Sequence, residues 1–131
     1  MNGFIIFPKK NNYIEIDNVI FAITKKEQSF GLMNCEVPTF MVFLYKEACL
    51  PNFWMKNTLL PLDIIFINNN IIDSIKSGNP LSEKTITPTS LTKIVIEAPL
   101  GFCKTNKIES GDKIKIKYDK EIIDKIFKTW S

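Results

Sequence analysis

The chain has 131 residues, 45% hydrophobic and 24% charged, which suits one soluble domain with a single core. A formal charge of +3 is too small to demand a polyanionic partner, so nucleic acid is disfavoured, and no apolar run is long enough to cross a membrane as a helix. Histidine is absent, which excludes Ser-His-Asp and Cys-His nucleophile pairs and the common zinc ligand sets, so no metal or cofactor is expected.

The opening MNGFIIFPKK lacks a basic leader region and its apolar run stops at Pro8. It reads as an appended strand over 4–7, not a signal peptide. YIEID at 13–17 alternates and NVIFAIT at 18–24 is almost wholly apolar. With Asp17-Asn18 as a turn signal between them, a hairpin is predicted. KKEQSFGLM at 25–33 makes about two helical turns, with Thr24 as N-cap and Gly31 as the stop. TFMVFLY at 39–45 is a strand, EACLP a connection and NFWMKN at 52–57 a short strand.

LDIIFI at 62–67 is an uninterrupted apolar run, expected to be covered on both faces. NNN at 68–70 is a turn, and IIDSIK at 71–76 returns as a strand. Residues 77–90 form a long surface loop with room for partner contacts. KIVIEA at 93–98 is a strand. Pro99 fits the first position of a short helix over PLGFCKTNK, with Asn106 near its end. Gly111-Asp112 is a turn. KIKIKY at 113–118 alternates, with Lys113, Lys115 and Lys117 on one side, read as a solvated edge face. DKEIIDKIFKTW at 119–130 is an amphipathic helix whose stripe is Ile122, Ile123, Ile126, Phe127 and Trp130.

The sum is a mainly β single domain over 1–131: a small barrel-like or strongly coiled mixed sheet with two or three short helices, the last an added C-terminal one. The cysteines Cys35, Cys49 and Cys103 are odd in number and have no CxxC spacing. Free structural thiols in the cytoplasm or another reducing compartment are the simplest reading; one disulfide plus one free thiol is the alternative.

FWMKNTLLPLD at 53–63 sets Lys56, Asn57 and Asp63 among large apolar residues. If the chain folds back at Pro61, Lys56 and Asp63 flank the bend and pair, with Asn57 filling remaining valences. Were that pair buried, Lys56→Met would cost about 3–5 kcal/mol. Glu97 interrupts IVIEA and is the second carboxylate of the expected cluster. Trp54, Lys56, Asn57, Asp63 and Glu97 therefore form the candidate site. They either fix strand register or line a pocket for a small polar ligand. Paired carboxylates with a lysine would also suit proton transfer or glycoside chemistry.

GLMNCEVP at 31–38, FMVFLY at 40–45, FWMKNTLLPLDIIFINNN at 53–70 and IVIEAPLGFCKTNKIESGDKIKI at 94–116 resemble the bacterial and archaeal family known as domain of unknown function 192. The resemblance spans residues 13–118 and leaves 1–12 and 119–131 as terminal additions. It implies a compact, mainly β, barrel-like fold and assigns no activity. The leading functional expectation is a non-enzymatic β domain acting as a binding or structural accessory for a protein partner or a larger assembly, a viral particle included. The alternatives are a small hydrolase or sugar-acting enzyme using Asp63 and Glu97 with Lys56, and a weak nucleic-acid binder through Lys113, Lys115 and Lys117.

Overall fold

The computed structural model describes residues 3–129. Eight strands and three short helices follow in the order β1 (Phe4–Pro8), β2 (Tyr13–Ile16), β3 (Val19–Ala22), α1 (Lys25–Phe30), β4 (Phe40–Cys49), β5 (Leu62–Asn68), β6 (Ile71–Gly78), β7 (Thr92–Pro99), α2 (Phe102–Thr105), β8 (Lys115–Lys117) and α3 (Lys120–Lys128). They make a five-stranded sheet, ordered β3-β4-β7-β5-β6, and a three-stranded sheet, ordered β2-β1-β8. The larger sheet is mixed, since β3 runs parallel to β4 while its other neighbours are antiparallel. The fold is mainly β, as the sequence predicts. Among the described residues, the two sheets do not close into a barrel.

The larger sheet carries a core on each face. Val42, Leu44, Ile65 and Ile96 pack on one side with Ile5 and Phe7 of β1 and Ile123 of α3. Met41, Phe43, Ile64, Phe66 and Val95 pack on the other with Leu32, Phe53 and Met55. Covering both faces explains why β5 is apolar at almost every position: Leu62 through Ile67 are all buried. Each large side chain so buried contributes roughly 1.5–3 kcal/mol.

Local signals account for several elements. Thr24 Oγ1 accepts from the Glu27 amide while the Glu27 carboxylate accepts from Thr24 N–H, a reciprocal cap at the start of α1. Asn69 and Asn70 both hold positive φ, 54° and 61°, and so make the tight β5–β6 turn. Lys113, Lys115 and Lys117 face solvent while Ile114 is buried, following the alternation. In α3, Ile123 is buried and Ile126 and Phe127 pack on the core, but Ile122 is 43% exposed. Trp130 lies outside the described residues.

Four expectations change. Residues 13–24 are not a hairpin: β2 pairs with β1 in the small sheet, whereas β3 pairs with β4 in the large one. Asp17-Asn18 carries the chain between sheets, and such a turn signal has the same composition in either role. The 52–57 strand reduces to an isolated bridge between Phe53 and Ile86. EACLP does not begin a connection, because β4 continues through an irregularity to Cys49. Pro99 ends β7 opposite Leu62 and does not start a helix.

β1 is the middle strand of its sheet, with Ile5 opposite both Ile16 of β2 and Ile116 of β8 and with Ile5 and Phe7 in the core. Residues 77–90 are tied down: Thr89 Oγ1 and Ser90 Oγ donate to the Asp73 carboxylate at 2.6 and 2.7 Å. Cys35, Cys49 and Cys103 are free thiols. No helix of the described residues is long and apolar enough to cross a membrane.

Candidate functional site

Segment 53–58 crosses the lower edge of the second core as a series of pegs. Phe53 and Met55 point inward and are buried, and Trp54 and Lys56 point outward. The segment is fixed by main-chain hydrogen bonds, Phe53 N–H to Ile86 O at 2.8 Å and Met55 N–H to Ser82 O at 2.9 Å. Asn57 takes the left-handed conformation, φ 57°, that ends the run, and its carbonyl accepts from Asn34 N–H at 2.8 Å. Asn57 thus contributes through its backbone.

The parity of this run decides where Lys56 goes. Pegs at 53 and 55 send 54 and 56 to solvent, so the Lys56 ammonium lies over the Trp54 ring, 5.1 Å from its centroid. No ion pair joins Lys56 to Asp63 among the described residues. The expected buried pair is corrected on that ground.

The two carboxylates are also separated. In the β5–β7 ladder Asp63 stands opposite Ala98 and Ile64 opposite Glu97. Directly opposed residues share a face and consecutive residues alternate, so Asp63 and Glu97 point to opposite sides of the sheet. Asp63 is buried, and its Oδ2 accepts from Cys103 N–H at 3.0 Å. Cys103 is the second residue of α2, whose N-cap Gly101 has no side chain to offer. Asp63 therefore caps α2 from a distant strand. Burial first, and the Asp63 charge second, push the Cys103 thiol up to about 12, which keeps it protonated and inert.

Glu97 occupies different ground. It is 4% exposed and lies opposite Met41 of β4 and Ile64 of β5. Its carboxyl lines a cleft of about 230 Å³ whose walls include Gln28, Gly31, Phe43, Phe53 and Trp54. Among the described residues no protein group is hydrogen-bonded or ion-paired to it, and its oxygens keep some solvent access through the cleft. Burial pushes its carboxyl up to about 8, so it is mostly protonated at neutral pH. The roof is segment 29–33. Gly31, at φ 53°, lets the chain turn after α1, and a Cβ there would stand 3.7 Å from Glu97 Oε1. Phe43 and Phe53 meet edge to face, 5.0 Å between centroids.

Of the five sequence candidates, Trp54 and Glu97 come together in this cleft, with Lys56 at its rim over Trp54. Asn57 and Asp63 serve the backbone turn and the α2 cap. Sequence reasoning missed Gln28, Gly31 and Phe43 as cleft residues. Gly31 carried a signal, because a glycine directly after a short helix marks positive φ; Gln28 and Phe43 carried none. The row of Lys113, Lys115 and Lys117 sits elsewhere, on and beside the edge strand β8.

Residues 6–116 match the family of domain of unknown function 192, described as Uncharacterized ACR. The match begins inside β1, so residues 6–12, expected to belong to an added end, lie within it. No curated protein matches the chain. Two crystal structures share the fold. A protein of unknown function from Novosphingobium aromaticivorans is 27% identical with a TM-score of 0.80, covering 86% of this chain and 83% of that one. A Sinorhizobium meliloti protein, provisionally described as a transcription regulator, is 26% identical with a TM-score of 0.81, covering 88% and 93%. The family match spans most of the chain and both sheets, and the chain belongs to the domain of unknown function 192 family.

Proposed function

We propose that this chain is a non-enzymatic binding module whose ligand enters the cleft that ends at Glu97. The observation that carries this reading is the buried carboxyl itself: 4% exposed, lining a cleft, with no partner among the described residues. A carboxyl held away from bulk water and bonded by no protein group is open to a ligand's polar group. Hydrolysis of a glycoside needs two carboxyls flanking one bond, and Asp63 is on the other face of the sheet, engaged with α2. The accessory role for a protein partner is the same reading with the entering group carried on a polypeptide.

Protein-observed NMR against a library of small polar fragments tests this. The expected result is a set of binders that move the Gly31 amide and the Trp54 indole together. A library that leaves both unmoved, or binders that gather elsewhere, would refute the site. Turnover of a substrate by the parent, lost in Glu97→Gln, would refute the non-enzymatic reading.

A further inference from the structure

We propose that the Glu97 cleft takes a primary ammonium group on a short apolar stem, carried either by a small amine or by a lysine side chain of a protein. The assignment rests on the cleft being the binding site. It follows from the inventory of the walls. Glu97 is the single charged side chain among the cleft residues, the others being neutral. The Lys56 ammonium lies over the Trp54 ring and is not among the lining residues, so an anion beside Glu97 would meet a carboxyl with no counter-charge in the lining. Of the neutral side-chain donors in the lining, Gln28 and Thr58 are engaged by the protein, while the Ser29 hydroxyl, the Asn52 amide and the Trp54 indole N–H have no protein acceptor among the described residues and can serve the polar end of a ligand. Gln28 Nε2 donates to Ala22 O at 3.1 Å and to Leu44 O at 2.9 Å, and Thr58 Oγ1 donates to Lys56 O at 3.4 Å. The acceptors with no bound donor among the described residues are the Glu97 oxygens, both of them once the carboxyl ionises, and the Gln28 side-chain oxygen. Glu97 is thus the one ionisable side chain in the lining, and a cationic donor is the ligand group that complements its charged form.

Aromatic rings select the kind of donor. Ring faces attract cations, and Trp54 at the mouth already holds one on its indole, the Lys56 ammonium. Phe53, Leu32 and Met33 offer the stem an apolar wall. An ammonium at the cleft floor stabilises the carboxylate form that burial alone disfavours. Binding is then an exchange. The neutral Glu97 carboxyl and the free alkylammonium become a carboxylate–alkylammonium ion pair, and the carboxyl proton passes to solvent. Other titratable groups on this face include Lys56, over the Trp54 ring at the rim, and Cys35, packed on the same core. Tyr45 of β4 has its hydroxyl pushed up by burial, with Cys49 and Glu97 adding to the shift. Lys76 of β6 is on the same face but beyond Ile64, a full strand from Glu97. Glu27 of α1 is turned to the Ile23 and Thr24 amides.

The test is an NMR titration of the full chain with n-propylammonium, Nα-acetyl-lysine N-methylamide, propionate and propanol. Both amines are expected to shift Gly31 and Trp54 and to lower the titration midpoint of the Glu97 side-chain carboxyl carbon. Their affinity should rise at least tenfold, roughly, between about pH 6 and about pH 9, because Glu97 no longer has a proton to release. Glu97→Gln should abolish the response, and Trp54→Ala should weaken it. A lysine derivative that binds tighter than propylammonium points to a protein source; the reverse order points to a small amine. Propionate or propanol binding in place of the amines would overturn the ligand class and leave the cleft as a site. Amine binding that weakens with rising pH, or that survives Glu97→Gln, would overturn it as well. If no probe binds and the fragment library also fails, the cleft and its ligand fall together.

Discussion

Asp63 and Glu97 stand on adjacent strands of one sheet and face away from each other. The register that opposes Ile64 to Glu97 also opposes Asp63 to Ala98, and this single offset assigns one carboxyl to α2 and the other to the cleft. The two are expected to behave independently. Asp63→Ala should cost about 1–3 kcal/mol by leaving the Cys103 amide unsatisfied. It should speed hydrogen exchange at that amide and leave the Glu97 titration unmoved. Urea midpoints and carboxyl-carbon shifts report the two effects separately, and a moved Glu97 midpoint would contradict the geometry.

Glu97 makes stability depend on pH with a definite sign. Its carboxyl moves from an ordinary 4.5 up to about 8 through burial. Between those values the folded chain holds a proton that the unfolded chain has released, so stability falls as pH rises through that window. Below the lower value the contribution is complete, and above the upper it is gone. Relative to Glu97→Gln, the parent should lose several kcal/mol, on the order of one per pH unit, between about pH 5 and about pH 8. Paired urea titrations across that range check it, and a constant difference would mean a solvated carboxyl.

Lys56→Met should change stability by no more than about 0.5 kcal/mol, because Lys56 is exposed and its contact is the outer face of Trp54. This is far below the cost of breaking a buried pair. Chemical denaturation of parent and variant distinguishes the two magnitudes directly.

Much of this was legible in the sequence, and the failures share a cause. The alternation at 113–118, the T-x-x-E cap before α1 and the two-face apolar run of β5 are local properties, so they could be read locally. So could the oddity of Glu97 in IVIEA. Which residue faces which is set by pairing between distant strands. The Lys56–Asp63 pair failed because Phe53 and Met55 take the inward positions. The pairing of Asp63 with Glu97 failed because β5–β7 register is invisible from either segment alone. The cleft adds a roof, Gly31 and its neighbours, that is remote in sequence from the floor it covers.

Gly78 and Met55 offer a test of the second core. A Cβ built on Gly78 overlaps the Met55 sulfur, and Met55 is fully buried. Gly78→Ala should therefore destabilise by about 1–3 kcal/mol through overpacking, and Met55→Ala by about 2–5 kcal/mol through a cavity. The double variant should be more stable than the sum of the two, since the new methyl enters vacated space. Strict additivity in a double-mutant cycle would show that the two positions do not touch.

β1 is held between β2 and β8, with Phe4 opposite Lys117. A chain growing from the ribosome makes this strand long before its second neighbour, β8. Until Lys117 has emerged, the clasp is open and Ile5 and Phe7 have half a sheet to rest on. Pairing over such a sequence separation is slow relative to local structure. Completion of the small sheet thus waits for β8, and until then the open edge of β1 exposes a nascent chain of this kind to association with its neighbours.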